Sequence, residues 1–204
     1  MKRIGIFGGS FNPIHLGHTA LAAYICEQGL VDEVWLMVSP QNPLKQDLTL
    51  LDEKERLHMA RLAVAPYPML KACDFEFTLP RPSYTYHTLQ ALRKAYPDHE
   101  FSLIIGEDNW QCFGRWYRGE DIARETPIIV YPRDAEGELR IKGKDSKART
   151  PNSQQPIANS QQSPKLLPYS STEVRHHIAA GQETSHMLHP DVAQYIREKH
   201  FYQG

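Results

Sequence analysis

The chain has few of the features that place a protein in a membrane or outside the cell. No run approaches the roughly 18 apolar residues that a membrane span needs, and the first residues, MKRIGIFGG, lack the apolar core of a signal peptide. The three cysteines, Cys26, Cys73 and Cys112, form no C-x-x-C pair. We therefore expect free thiols, a cytoplasmic location and no membrane partner.

An excess of charge of one sign is also absent. The 23 basic and 24 acidic residues leave a net charge of −1, so no overall field recruits nucleic acid, and we expect no nucleic-acid partner. The 204 residues, 41% of them hydrophobic, fit one domain of ordinary size. Any anion that this chain binds must be held by local groups.

Short apolar runs alternate with stretches of helical periodicity. Strands are predicted at 3–7, 33–39, 70–77, 101–105 and 127–131. Because helical stretches of 10–15 residues separate most of these runs, the pattern predicts an α/β fold with a doubly wound parallel sheet.

Polar residues mark where the helices should begin. Asp52 is predicted to cap the second helix, and Ser83 or Thr85 the third. Ser170 and Glu173 have the spacing of a capping box at the start of a late helix.

Residues 137–165 interrupt the pattern. This segment is polar and contains the tetrapeptide NSQQ twice, so it cannot bury enough apolar surface to offset the entropy lost on ordering. We predict one domain over residues 1–204 with a mobile surface insertion at 137–165. The alternative is a basic flap built from the arginines and lysines of the segment.

The stretch GGSFNPIHLGH, residues 8–18, follows the first predicted strand. It is not the G-x-G-x-x-G of a dinucleotide-binding dehydrogenase, and the chain has no P-loop. A glycine-rich bend that enters a helix still favours phosphate, and His15 and His18, three residues apart, should face one side of that helix. Paired imidazoles there would stabilise the charge that develops in nucleotidyl transfer. A buried core pair and a metal site are the two alternatives.

The motif H-x-G-H at 15–18, together with SSTEVR at 170–175, resembles a known signature. It is that of the nucleotidyltransferase superfamily whose Rossmann-like core is shared with class I aminoacyl-tRNA synthetases, and within it of the bacterial nicotinate-nucleotide adenylyltransferases. The resemblance implies a Rossmann-like nucleotidyltransferase fold with a C-terminal helical part. It also implies that ATP and nicotinate mononucleotide give nicotinate adenine dinucleotide and pyrophosphate, in NAD biosynthesis. Mg²⁺ would act with ATP and be held mainly by the phosphates.

The resemblance also assigns roles to individual residues. Transition-state stabilisation falls to His15, His18 and Arg175. ATP binding falls to Gly8, Gly9, Ser10, Phe11, Gly106, Asp108, Ser170 and Ser171. Binding of the nicotinate nucleotide falls to Asn42, Lys45, Tyr84, Thr85, Trp116 and Arg133. The sequence departs from many relatives at Leu44, where a histidine would be usual.

Three points stay open at this level. Phosphopantetheine adenylyltransferase, or a related nucleotidyltransferase, would share the two histidines and the late Ser/Arg helix but would not need Trp116. A non-catalytic nucleotide sensor on the same fold is the alternative from another class. The sequence does not decide whether the chain forms a homo-oligomer.

Overall fold

The computed structural model describes residues 1–40, 50–132, 139–144 and 169–203. Within these ranges one sheet has the strand order β3-β2-β1-β4-β5-β6. Its strands are β1 (Lys2–Gly9), β2 (Glu33–Val38), β3 (Leu70–Cys73), β4 (His99–Gly106), β5 (Pro127–Tyr131) and β6 (Arg140–Gly143). The first five run parallel, and β6 pairs antiparallel with β5. The predicted parallel α/β sheet is confirmed.

Helices cover both faces of this sheet. They are α1 (Leu16–Glu27), α2 (Glu53–Val64), α3 (Thr85–Ala95), α4 (Glu107–Gln111), α5 (Gly119–Glu125), α6 (Ser171–Ala179) and α7 (Pro190–Glu198). Side chains alternate across β1, so that Phe7 joins the core beneath α1, α2 and α7, whereas Ile4 and Ile6 join the core beneath α3 and α5. None of the helices in the described ranges is long and apolar enough to cross a membrane.

The predicted helix starts are partly correct. Asp52 caps α2 by accepting a hydrogen bond from the Lys54 amide at 2.8 Å. Ser170 caps α6 by accepting one from the Glu173 amide at 3.1 Å. Both caps supply an oxygen to a first-turn N–H that would otherwise lack a partner.

The start of α3 differs from the prediction. Its N-cap is Tyr84, not Ser83 or Thr85, and the Tyr84 side chain makes no capping hydrogen bond. Ser83 lies one residue before this cap, and its hydroxyl donates to Glu76 at 3.3 Å. The amides of the first turn of α3 therefore have no side-chain cap.

Two further predictions need correction. The third strand ends at Cys73 rather than at 77, and Phe75–Thr78 forms a 3-10 turn because Glu76 turns inward to accept a hydrogen bond from Thr88 at 2.8 Å. The segment predicted to be mobile over 137–165 contains β6, whose Ile141 pairs with Ile129 of β5. Residues 137–138 and 145–165 of that segment lie outside the described residues.

Candidate active site

A cavity of about 120 Å³ opens at the carboxyl ends of β1, β2, β4 and β5. This is where doubly wound sheets bind ligands, because β1 and β4 are neighbours whose following helices cover opposite faces. We call residues 8–18 together with Arg175 the histidine half of the site. We call Glu76, Thr85 and Trp116, which line this cavity, the aromatic half.

The glycines of the histidine half leave room for a ligand. No atom comes within 4 Å of the position that a Cβ on Gly8 would occupy, so a ligand can approach the backbone there. Phe11 has a φ of 46°, in the left-handed region, and its side chain is only 1% exposed. The predicted contact of Phe11 with ATP is therefore not supported, and its ring instead packs beneath Gly9 of the loop.

The two histidine rings are stacked on one another. Their centroids lie 3.7 Å apart at an interplanar angle of 29°, and the backbone N–H of His15 donates to Nδ1 of His18 at 3.2 Å. Because Nδ1 accepts that bond, neutral His18 must carry its proton on Nε2. The His18 ring packs edge-on against Phe11, 5.0 Å away, and against Phe7, which lines the cavity.

Both imidazoles are neutral at pH 7 in the unliganded protein. Burial lowers the pKa of His15 to about 4. Burial, followed by the proximity of His15, lowers the pKa of His18 well below its ordinary value. The alternative of a buried core pair describes His15, which is 6% exposed. It does not describe His18, which packs against Phe7 in the cavity wall.

Arg175 lies on the same side of the molecule as the histidines. Its Nη1 donates to the Asn12 carbonyl at 2.8 Å and its Nη2 to the Thr172 hydroxyl at 3.2 Å. A guanidinium has five N–H donors, so most of them remain available to an anion. Arg175 is thus fixed against the loop that precedes the histidines.

The two serines at the start of α6 are occupied. Ser170 is the helix cap, and the Ser171 hydroxyl donates to the Pro13 carbonyl at 2.9 Å. The predicted ATP contacts of these residues are thereby restricted, since the Ser171 proton is already engaged. What this end of α6 can still present to phosphate is its backbone amides.

Gly106 and Asp108 lie at the end of β4, where α4 begins. A Cβ on Gly106 would lie 2.6 Å from Asp108 Oδ1 and 3.1 Å from the Tyr131 ring. Only glycine therefore allows the Asp108 carboxylate to fold back over this strand end, and Asp108 is exposed.

Trp116 and Thr85 both line the cavity in the aromatic half. The Trp116 ring packs on Phe113, with centroids 5.2 Å apart, and its buried Nε1 has no hydrogen-bond partner among the described residues. Tyr84 stacks on Tyr117 with centroids 5.0 Å apart. The other predicted acceptor residues, Asn42, Lys45 and Arg133, lie outside the described residues, as does Leu44.

Arg56 was missed by the sequence analysis. It is 1% exposed, and it donates to the carbonyls of Ser10 at 2.6 Å, Ser39 at 2.8 Å and Pro40 at 2.8 Å. A fourth bond, from Nε, reaches the Leu51 carbonyl at 2.8 Å. Arg56 therefore ties the glycine-rich loop to the end of β2. Its helical spacing to the apolar Met59 and Ala60 was the signal that could have found it.

A second missed residue is Glu76, a cavity-lining carboxylate that is 6% exposed. Nothing in the sequence around it distinguishes it from a surface glutamate. As for metals, the described ranges hold no group of three or more His, Cys, Asp or Glu side chains that could bind an ion.

Comparison with known proteins identifies the family to which this chain belongs. The cytidylyltransferase-like family model matches residues 6–177. A protein of Bacteroides thetaiotaomicron described as a probable nicotinate-nucleotide adenylyltransferase is 44% identical over 196 residues, which is 96% of this chain and 91% of that protein. One of the same description from Flavobacterium johnsoniae is 39% identical over 201 residues, or 98% of this chain and 99% of that one.

The fold is shared with a solved structure as well. The nicotinic acid mononucleotide adenylyltransferase of Plasmodium falciparum, complexed with NaAD, superposes with a TM-score of 0.74 at 19% identity, covering 99% of this chain and 98% of that one. The resemblance drawn from H-x-G-H and SSTEVR is thus confirmed by relatives that span nearly the whole sequence. The chain belongs to the nicotinate-nucleotide adenylyltransferases, within the cytidylyltransferase-like family.

Proposed function

We propose that the protein transfers the adenylyl group of ATP to the phosphate of nicotinate mononucleotide, releasing pyrophosphate. The observation that carries this proposal is the meeting of the two halves in one crevice. Gly8, Gly9 and Ser10, from the loop that leads to the stacked histidines, line the same cavity as Trp116 and Thr85 at the uncapped start of α3.

The histidine half suits the triphosphate. In-line attack by the acceptor phosphate on the α-phosphorus of ATP forms one P–O bond and breaks another, and pyrophosphate leaves. No covalent enzyme intermediate is involved, so catalysis consists of positioning and charge stabilisation. The Nε2–H of neutral His18 is a donor for the negative charge that builds at the α-phosphate.

Arg175 suits the outer phosphates. Its free N–H groups form a planar fork that matches phosphate oxygens, which a lysine could not do. Mg²⁺ bound to ATP would neutralise part of the negative charge of the phosphates. The backbone amides at the start of α6 add donors on the same side.

The aromatic half suits a pyridine ring that carries a carboxylate. The first-turn amides of α3 have no side-chain cap, and a helix N-terminus favours an anion over a neutral amide. Trp116 offers a π face to a cationic ring. The helix start favours nicotinate over nicotinamide, whereas Trp116 favours the cationic ring that both nucleotides share.

Pyrophosphate release tests the function directly. The protein is incubated with MgATP and, in separate reactions, nicotinate mononucleotide, nicotinamide mononucleotide or phosphopantetheine. We expect the nicotinate form to have at least tenfold higher kcat/KM than the amide form, and phosphopantetheine to give no product.

Each other result identifies a rival. A preference for the amide form would show that the start of α3 does not bind the ring carboxylate. Turnover of phosphopantetheine would identify the protein as a phosphopantetheine adenylyltransferase. ATP binding without turnover of any acceptor indicates a nucleotide sensor.

A further inference from the structure

Glu76 is the one charged side chain among the described residues that line the cavity. It belongs to the 3-10 turn Phe75–Thr78 that follows β3, and its side chain is buried rather than directed to solvent. The cavity wall around it is otherwise made of backbone, hydroxyls, amides and apolar side chains. A fixed negative charge in such a wall must influence which ligands enter.

The carboxylate is held by hydroxyl groups. Thr88 donates to Oε1 at 2.8 Å and Ser83 to Oε2 at 3.3 Å, and the Ser39 hydroxyl is a third donor. A hydroxyl has one proton, so Ser39 and Ser83 commit theirs to Glu76, and that of Thr88 is shared between Glu76 and the Tyr84 carbonyl at 3.3 Å. Ser39 and Thr88, which also line the cavity, can therefore only accept hydrogen bonds from a ligand.

No positive side chain of the described ranges neutralises Glu76. Among the described residues, Glu76 forms no salt bridge. Burial raises its pKa, and only the hydroxyl hydrogen bonds lower it. A buried carboxylate without a cation among the described residues is costly, so its charge is available to a cationic ligand.

A cationic ring of the acceptor supplies the missing positive charge. In a pyridine mononucleotide the ring nitrogen is bonded to ribose and carries a positive charge, while the carboxylate of nicotinate lies two ring positions away. We propose that Glu76 is a specificity-determining residue that recognises the positive charge of the pyridinium ring, while the start of α3 receives the ring carboxylate. This inference rests on the proposed function and adds the charge selection that Trp116 alone does not supply.

The competing explanation is that Glu76 is only a clamp. Its three hydroxyl partners come from the end of β2, from the loop before α3 and from α3 itself, so it joins three segments. A clamp would affect every acceptor equally. Recognition of charge would affect only acceptors whose ring is cationic.

The experiment uses two ligands that differ in this one charge. Equilibrium titration measures the Kd of nicotinate mononucleotide and of its C-nucleotide isostere, in which a carbon replaces the ring nitrogen and the ring is neutral. The proteins are the wild type, Glu76→Gln and, as a matched control, Glu53→Gln, which alters a part-buried carboxylate that is paired with Arg81 outside the cavity.

We expect Glu76→Gln to raise the Kd of nicotinate mononucleotide about tenfold and that of the neutral isostere less than twofold. Glu53→Gln should change neither, and the KM for ATP should stay within about twofold in both variants. An equal loss of affinity for both ligands, or no loss for either, overturns the proposal.

Glu76→Asp keeps the test decisive if Glu76→Gln does not fold. This variant retains the charge and should still bind the cationic ligand more tightly than the neutral one. Loss of that discrimination overturns the proposal.

The two proposals fail in different ways. A wild type that binds nicotinate mononucleotide with the expected discrimination but does not adenylate it contradicts the proposed function and leaves the role of Glu76 standing. A wild type that does not bind the mononucleotide contradicts both.

Discussion

The histidine half of the crevice is nearly continuous in sequence, whereas the aromatic half is assembled from separate segments. Residues 8–18 supply most of the first, and side-chain hydrogen bonds from Arg56, Arg175 and Ser171 to backbone carbonyls hold it in place. The second takes Glu76 from a turn, Thr85 from a helix start and Trp116 from a loop. The half proposed to stabilise charge is thus held by several long-range hydrogen bonds, whereas the half proposed to select the acceptor is assembled from separate segments.

This difference predicts that substitutions in the histidine half lower kcat more than they change the KM of either substrate. We expect His18→Ala to lower kcat by about 10²-fold or more, as the loss of a transition-state donor does, with the KM of both substrates changed far less. Steady-state kinetics provides the measurement. His176→Ala, which removes an exposed histidine of α6, should leave kcat unchanged, and full activity of His18→Ala would refute the assignment.

Arg56 tests whether the histidine half depends on its buried support. Each carbonyl left unpaired in a protein interior costs about 1–3 kcal/mol, so Arg56→Lys, which cannot reach all four carbonyls, should lower the free energy of unfolding by about 3 kcal/mol. Denaturant titration measures this. Arg61→Ala on the same helix removes only an exposed ion pair with Asp74 and should cost less than about 1 kcal/mol. Equal losses of unfolding free energy in the two variants would show that the buried hydrogen bonds of Arg56 do not stabilise the fold more than an exposed ion pair does.

The buried histidines also predict how stability depends on pH. Because burial holds the pKa of His15 at about 4, below its value in the unfolded chain, the unfolded state binds more protons as the pH falls. The unliganded protein should therefore lose stability between about pH 6.5 and pH 4, by up to about 1.4 kcal/mol per pH unit for this one group. Denaturant titration of the wild type and of His15→Asn across this range gives the free energy of unfolding at each pH. This free energy should fall less steeply with decreasing pH in the variant than in the wild type.

Trp116 tests the aromatic half by itself. Removal of an indole face from a cationic ring costs on the order of 1–2 kcal/mol, so Trp116→Ala should raise the acceptor KM about tenfold and leave the KM for ATP within about twofold. Trp110→Ala is the control, because Trp110 packs on the same Phe113 ring without lining the cavity. A rise in the KM for ATP as large as that for the acceptor would mean that the two halves are not independent.

The contrast between the halves also explains what the sequence could predict. His15, His18 and Arg175 belong to two short motifs whose residue types and spacing carry the chemistry, and the sheet follows from continuous apolar runs. Arg56 could have been found from helical periodicity, since it shares a face with Met59 and Ala60.

Other features could not be predicted because they depend on contacts between distant segments. Glu76 lies in an irregular turn, and only its contacts with Ser39, Ser83 and Thr88 make it a cavity residue. The start of α3 was placed at the wrong cap because its N-cap, Tyr84, makes no side-chain capping bond that the sequence could signal. The strand β6 was missed because it depends on pairing with β5, which outweighs the polar composition of its own residues.

The bond between Tyr202 and Asn12 has a consequence for synthesis. The Tyr202 hydroxyl donates to Asn12 Oδ1 at 2.7 Å, across 190 positions of the chain. A nascent polypeptide has no such support for the loop that leads into the histidines until residue 202 has been added. Products truncated before residue 202 should therefore hold this loop less firmly.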